Sequence, residues 1–153
     1  MPSVRSSRSC DVLFLSDHLR AEDRAECMAS SGRGPFDVLM EGLSISDECH
    51  TALNDAGVPF AMFGVAPIEG NPRAGAVWLL ATDELKKHAV YLLRNTDKYI
   101  AQFHLRYPIL ANVADERNTA HLRWVEWAGF SGFKRLEGYG HEQRPFIYFQ
   151  SVI

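Results

Sequence analysis

The chain has 153 residues, 46% of them apolar, which is enough for one compact domain with a substantial core. Its formal charge of -3 argues against a general nucleic-acid or membrane-surface binder. No apolar run reaches the length of a membrane span, and no secretory signal core follows the first residues.

Residues 1–10, MPSVRSSRSC, read as a flexible arm ahead of a single domain at 11–153. Asp11–Ser16, DVLFLS, is a short apolar run expected to form a first strand. Helix-forming residues follow from Ala21 and stop at Gly32. Pro35 suits the first turn of a second helix that runs to about Ser44.

Two strands, His50–Asn54 and Val58–Val65, are expected on either side of an NDAG hairpin signal. Pro67–Ala74, PIEGNPRA, reads as a loop. The unbroken apolar run Gly75–Thr82 fits a central strand covered on both faces. Thr82–Asp83 then caps a long amphipathic helix, roughly Glu84–Leu105, which ends before Pro108.

Ile109–Val113 reads as the next buried strand. Asn118 opens a helix that Gly129–Phe130 closes. Two last strands, Phe133–Glu137 and Phe146–Val152, flank GYGHEQRP. The expected order is β-α-α-β-β-β-α-β-α-β-β, an α/β fold in which helices cover both faces of one mixed sheet.

Cys10, Cys27 and Cys49 form no paired or zinc-type spacing, so they read as small side chains in a reducing compartment. His18, His50, His88, His104 and His141 show no ligand spacing, and no metal site is expected. There is also no nucleophile elbow and no Walker loop.

The segment ILANVADERNTAHLRWVEWAGF resembles the last helix region of the GNAT N-acyltransferases, typically N-x-x-A-x-x-L-Y-x-x-x-G-F. Within that superfamily the chain looks most like the GNAT-like internal virion or morphogenesis proteins of podophages. The shared stretches are GVPFAMFGVAP, AVWLLATD, YPILANVADERN with HLRWVEWAGF, and YGHEQRPFIYF. That resemblance implies a GNAT-like mixed sheet and a role in virion assembly or the internal core. It implies other phage virion proteins as partners and self-association as an option. It also implies a location in the host cytoplasm during assembly, or in the virion.

The same resemblance frames the cofactor. GNAT enzymes grip the acyl-CoA pyrophosphate with backbone N–H groups of a glycine-rich loop at a helix start. Here that place reads LLATDELKK, without glycine and with Asp83 and Glu84 in the first turn. The family's general-acid Tyr corresponds to Val125. The expectation is therefore a degenerate site that requires no cofactor. If acetyl-CoA is used after all, Leu80, Ala81, Thr82 and Asn118 are the expected contacts. Asp115, Glu116 and His121 are then the candidates for moving protons.

Overall fold

The computed structural model describes the whole chain, Met1–Ile153. Its elements run β1 (Ser3–Ser6), α1 (Ser9–His18), α2 (Ala21–Ser31), α3 (Pro35–Ile45), β2 (Glu48–Leu53), β3 (Pro59–Ile68) and β4 (Asn71–Ala81). After these come α4 (Leu85–His104), β5 (Ile109–Asp115), α5 (Thr119–Trp127), β6 (Ser131–Tyr139) and β7 (Arg144–Val152). The seven strands form one sheet in the order β1-β2-β3-β4-β5-β7-β6. Only β4 and β5 pair in parallel, joined by the α4 crossover.

The sheet is covered on both faces, as expected. One core cluster of 18 residues gathers Phe60, Phe63, Leu79 and Phe149 with residues of α4 and α5. A second, of 7 residues, sets Val12, Leu15, Cys27 and Leu39 of α1–α3 against Met62 and Leu80. β3 feeds both clusters because its side chains alternate between faces. Most of β3 is therefore buried.

The expected first strand is a helix. Val12, Leu15 and Leu19 are buried while Leu13 is exposed, which is helical rather than alternating periodicity. Arg8 N–H donates to the Asp11 carboxylate and closes the first turn. The first strand lies instead in the expected flexible arm. Ser3–Ser6 pairs antiparallel with His50–Leu53. Arg5 of that strand grips Asp11 with two hydrogen bonds of 2.8 and 2.9 Å. Tertiary contact thus orders residues that look unstructured locally.

The expected Pro67–Ala74 loop is shorter than its composition suggests. β3 and β4 run through most of it and turn only at Glu69–Gly70, where Gly70 takes φ of 84°. Tyr107 closes the long crossover by lying against Gly75, where a Cβ would fall 2.5 Å from its ring.

Candidate functional site

β4 and β5 stay together for only three residue pairs, Ala74↔Ile109, Gly75↔Leu110 and Ala76↔Ala111. Past that point the strands part. Asn112 bridges the start of the gap, its Nδ2 donating to Val77 O at 2.6 Å. The wedge opens on the α2–α3 side into a cleft of about 310 Å³. Val77, Trp78 and Leu80 form its apolar floor, with Glu26, Asn112 and Tyr139 among its polar lining.

Two carboxylates of α2, one helical turn apart, hold the far end of the wedge. Asp23 Oδ2 accepts from Ala81 N, the last residue of β4, at 2.9 Å. It also accepts from Arg20 Nε at 2.8 Å. Asp23 Oδ1 accepts from Asn118 Nδ2 at 2.9 Å. Glu26 Oε1 accepts from Asp115 N, the last residue of β5, at 2.8 Å, and from Asn118 Nδ2 at 3.3 Å. Asp23, Arg20, Asn118 and Asp115 are all buried. One helix therefore ties the tips of both parted strands together through charge-assisted bonds.

Burial together with the nearby Asp23 and Asp115 charges pushes the Glu26 carboxyl up to about 7, against the bonds it accepts. Its sequence signal, the Leu19-Arg20-x-x-Asp23-x-x-Glu26 pattern, resembles the entry to the first GNAT helix and by itself names no bonding partner. Nothing local to the chain shows that Asp23 and Glu26 reach across to two strand ends.

The structure separates the expected proton-handling residues. Asp115 is buried and bonded by Arg117 Nη2 at 2.7 Å. Burial would raise its pKa, but the Arg117 bonds hold it below the usual carboxylate range. Glu116 points away from the wedge to the exposed Arg135 of β6, which lowers it. His121 is not on the surface. It is buried, and desolvation pushes it down to about 4, so its ring is neutral. Its Nδ1 has no hydrogen-bond partner.

Asn118 caps α5 by accepting from His121 N, as its place before the helix suggests. Val125 is packed in the core and has no polar group to offer.

The expected cofactor contacts are already engaged. Ala81 N–H serves Asp23, and Thr82 N–H donates to Phe60 O at 2.9 Å. Glu84 N–H donates to Thr82 Oγ1. Leu85, Lys86 and Lys87 donate to the carbonyls of Thr82, Asp83 and Glu84, three residues back. The first turn of α4 is thereby tightened, and among these residues only Asp83 keeps a free amide. The Glu84 carboxylate also stands there, bonded by Asn54 Nδ2 at 2.8 Å. These residues do not fit a pyrophosphate, which needs several free amides and no adjacent negative charge.

No protein-family model matches the sequence, and no curated protein matches it significantly. Solved structures do match the fold. The ribosomal-protein-alanine N-acetyltransferase of Brucella melitensis superposes with a TM-score of 0.72 at 11% identity, over 99% of both chains. The ribosomal-protein-S18-alanine N-acetyltransferase of Escherichia coli gives 0.69 at 12% identity, covering 100% of this chain and 94% of that one. A Vibrio cholerae spermidine N-acetyltransferase in complex with CoA and spermine gives 0.69 at 13% identity, covering 99% and 95%. The chain has the GNAT acetyltransferase fold.

Proposed function

We propose that this GNAT-fold protein works through protein contacts rather than acyl transfer, in the assembly or internal core of a phage particle. The carrying observation is that the amides at the rim of the wedge are already engaged. Asp23 and Glu26 occupy the amides at the ends of β4 and β5, and the first turn of α4 donates its own amides internally. A fold that keeps the scaffold of an enzyme need not keep its site. The particle setting rests on the resemblance of the GVPFAMFGVAP, AVWLLATD and YGHEQRPFIYF stretches to podophage proteins.

Calorimetry with acetyl-CoA tests the engaged rim. No heat of binding is expected up to millimolar ligand, and saturable binding abolished by a Lys86→Glu, Lys87→Glu double change would sink this reading. Electron microscopy of particles made without the protein tests the setting. Malformed or non-infectious particles are expected; normal assembly and infectivity would count against it.

A second reading, an acyl-CoA-dependent N-acyltransferase, has one observation in its favour. Glu26 lines the cleft and, with a carboxyl near 7, can accept a proton from an amine at neutral pH. It predicts measurable turnover with acetyl-CoA and an amine, lost on Glu26→Gln. The protein-contact reading predicts none.

A further inference from the structure

We propose that the outer face of α4 is a docking surface for an acidic protein segment. Five arginines of this chain are already neutralised. Arg5, Arg20, Arg33, Arg117 and Arg135 each pair with a carboxylate. Arg24 is spent on the carbonyls of Leu19 and Ser16.

The outer face of α4 gathers several unpaired cations on one helix. Lys86, Lys87, Arg94 and Lys98 are all exposed, and none enters an ion pair. Asp97 is the only carboxylate among the exposed positions of that helix. Lys98 leans toward the Tyr99 ring, with Nζ 5.1 Å from its centroid, which leaves its charge at the surface.

Helical geometry turns these residues into a row. At 100° per residue, Lys87, Arg94 and Lys98 fall within an arc of about 40°, and they span about 16 Å along the axis. Two apolar side chains share the face, Val90 at 63% exposure and Leu105 at 89%. Unpaired cations flanked by exposed aliphatic groups match a partner that offers both carboxylates and apolar side chains.

The alternatives fit less well. A polyphosphate chain has no use for the exposed Val90 and Leu105. A membrane needs an apolar helix face to insert. That face of α4, with Leu85, Leu92 and Phe103, is committed to the core. A carboxylate-bearing protein surface interacts at contact range, within a Debye length of about 8 Å at physiological salt.

This proposal does not depend on whether the wedge binds acyl-CoA, and its test is separate. Amide chemical shifts of the isotope-labelled full chain are followed against poly-L-glutamate, a 20-base-pair DNA duplex, and vesicles of phosphatidylserine and phosphatidylcholine. Binding of polyglutamate is expected, with shifts concentrated on residues 86–106. It should weaken at least about tenfold on raising ionic strength from about 0.05 to about 0.2 M.

Arg94→Glu with Lys98→Glu should weaken it about tenfold or more, and Arg94→Gln with Lys98→Gln by an intermediate factor. Both pairs are at exposed positions, so unchanged far-ultraviolet circular dichroism is expected. The proposal is overturned if polyglutamate does not bind at low salt, or if its shifts map elsewhere. It is also overturned if the charge reversals leave binding unchanged, or if the duplex or the vesicles bind as tightly as polyglutamate.

Discussion

At the level of single residues, Asp23 carries the most consequence. Its carboxylate is fully buried and serves three donors, from Arg20, Ala81 and Asn118. Asp23→Ala leaves the buried Arg20 guanidinium and the Ala81 amide without this acceptor, while Asn118 keeps only its longer bond to Glu26. The expected cost is about 3–5 kcal/mol, since an unpaired buried charge is penalised more than a neutral group. Urea unfolding measures it, and a loss below about 1 kcal/mol would mean water replaces the carboxylate freely.

Glu26 and His121 give opposing pH effects. Glu26 has a folded pKa raised to about 7 by burial and neighbouring carboxylates. The proton it prefers in the fold stabilises fully below its unfolded value, about 4.5, and that stability is lost as pH rises towards 7. His121 has a folded pKa lowered to about 4 by burial. Its contribution is full above the unfolded value of about 6.5 and is lost as pH falls towards 4. Between about pH 4.5 and 6.5 the two therefore cancel in large part. Glu26→Gln removes one side of this balance. Its stability should fall by about 3 kcal/mol from pH 6.5 to 4, more steeply than that of the unaltered protein. Chemical denaturation across that range checks the difference, and parallel profiles would refute it.

At the level of elements, the N-terminal segment shows how a weak local pattern becomes ordered. Ser3–Ser6 holds little apolar surface, yet it pairs with β2 and delivers Arg5 to Asp11. Asp11 in turn accepts from Arg8 N and Thr51 Oγ1, so β1, α1 and β2 meet at one buried carboxylate. Arg5→Ala should cost about 2–3 kcal/mol, and it should speed hydrogen exchange in β1 and the first turn of α1 well before the core strands. Uniform exchange across the sheet would show instead that β1 is not a separate unit. DVLFLS is also instructive here. Six residues of mixed polarity satisfy a short strand or two helical turns equally well, and only the burial of Val12, Leu15 and Leu19 against α3 and β3 separates them. The long α4 was legible because its apolar period extends over several turns, and α5 because Asn118 caps its start.

At the level of the whole molecule, the two core clusters share β3 and β4, whose side chains enter both. Neither cluster can lose its sheet without exposing the other. Unfolding should therefore be one cooperative transition. Trp78 packs beside the α1–α3 cluster and Trp124 beside the α4–α5 cluster, so their fluorescence reports opposite faces. Single-tryptophan variants retaining one or the other should unfold at the same urea concentration relative to far-ultraviolet circular dichroism. Separated midpoints would mean that the faces melt independently.

The apolar runs, the cap residues and the missing glycines between Leu79 and Lys87 are properties of the chain itself. They determined six of the seven strands, the sheet covered on both faces and the absence of a glycine-rich loop ahead of α4. Short-range pattern suffices for these because each depends on neighbours within a few turns of one element. The wedge was decided elsewhere. Asp23 lies 58 residues from Ala81 and 95 from Asn118, and Glu26 lies 89 from Asp115. The same tertiary packing drew His121 inside and turned Glu116 out to Arg135. Charge, burial and protonation at these sites depend on which distant strands a helix crosses, and that is a property of the assembled fold alone.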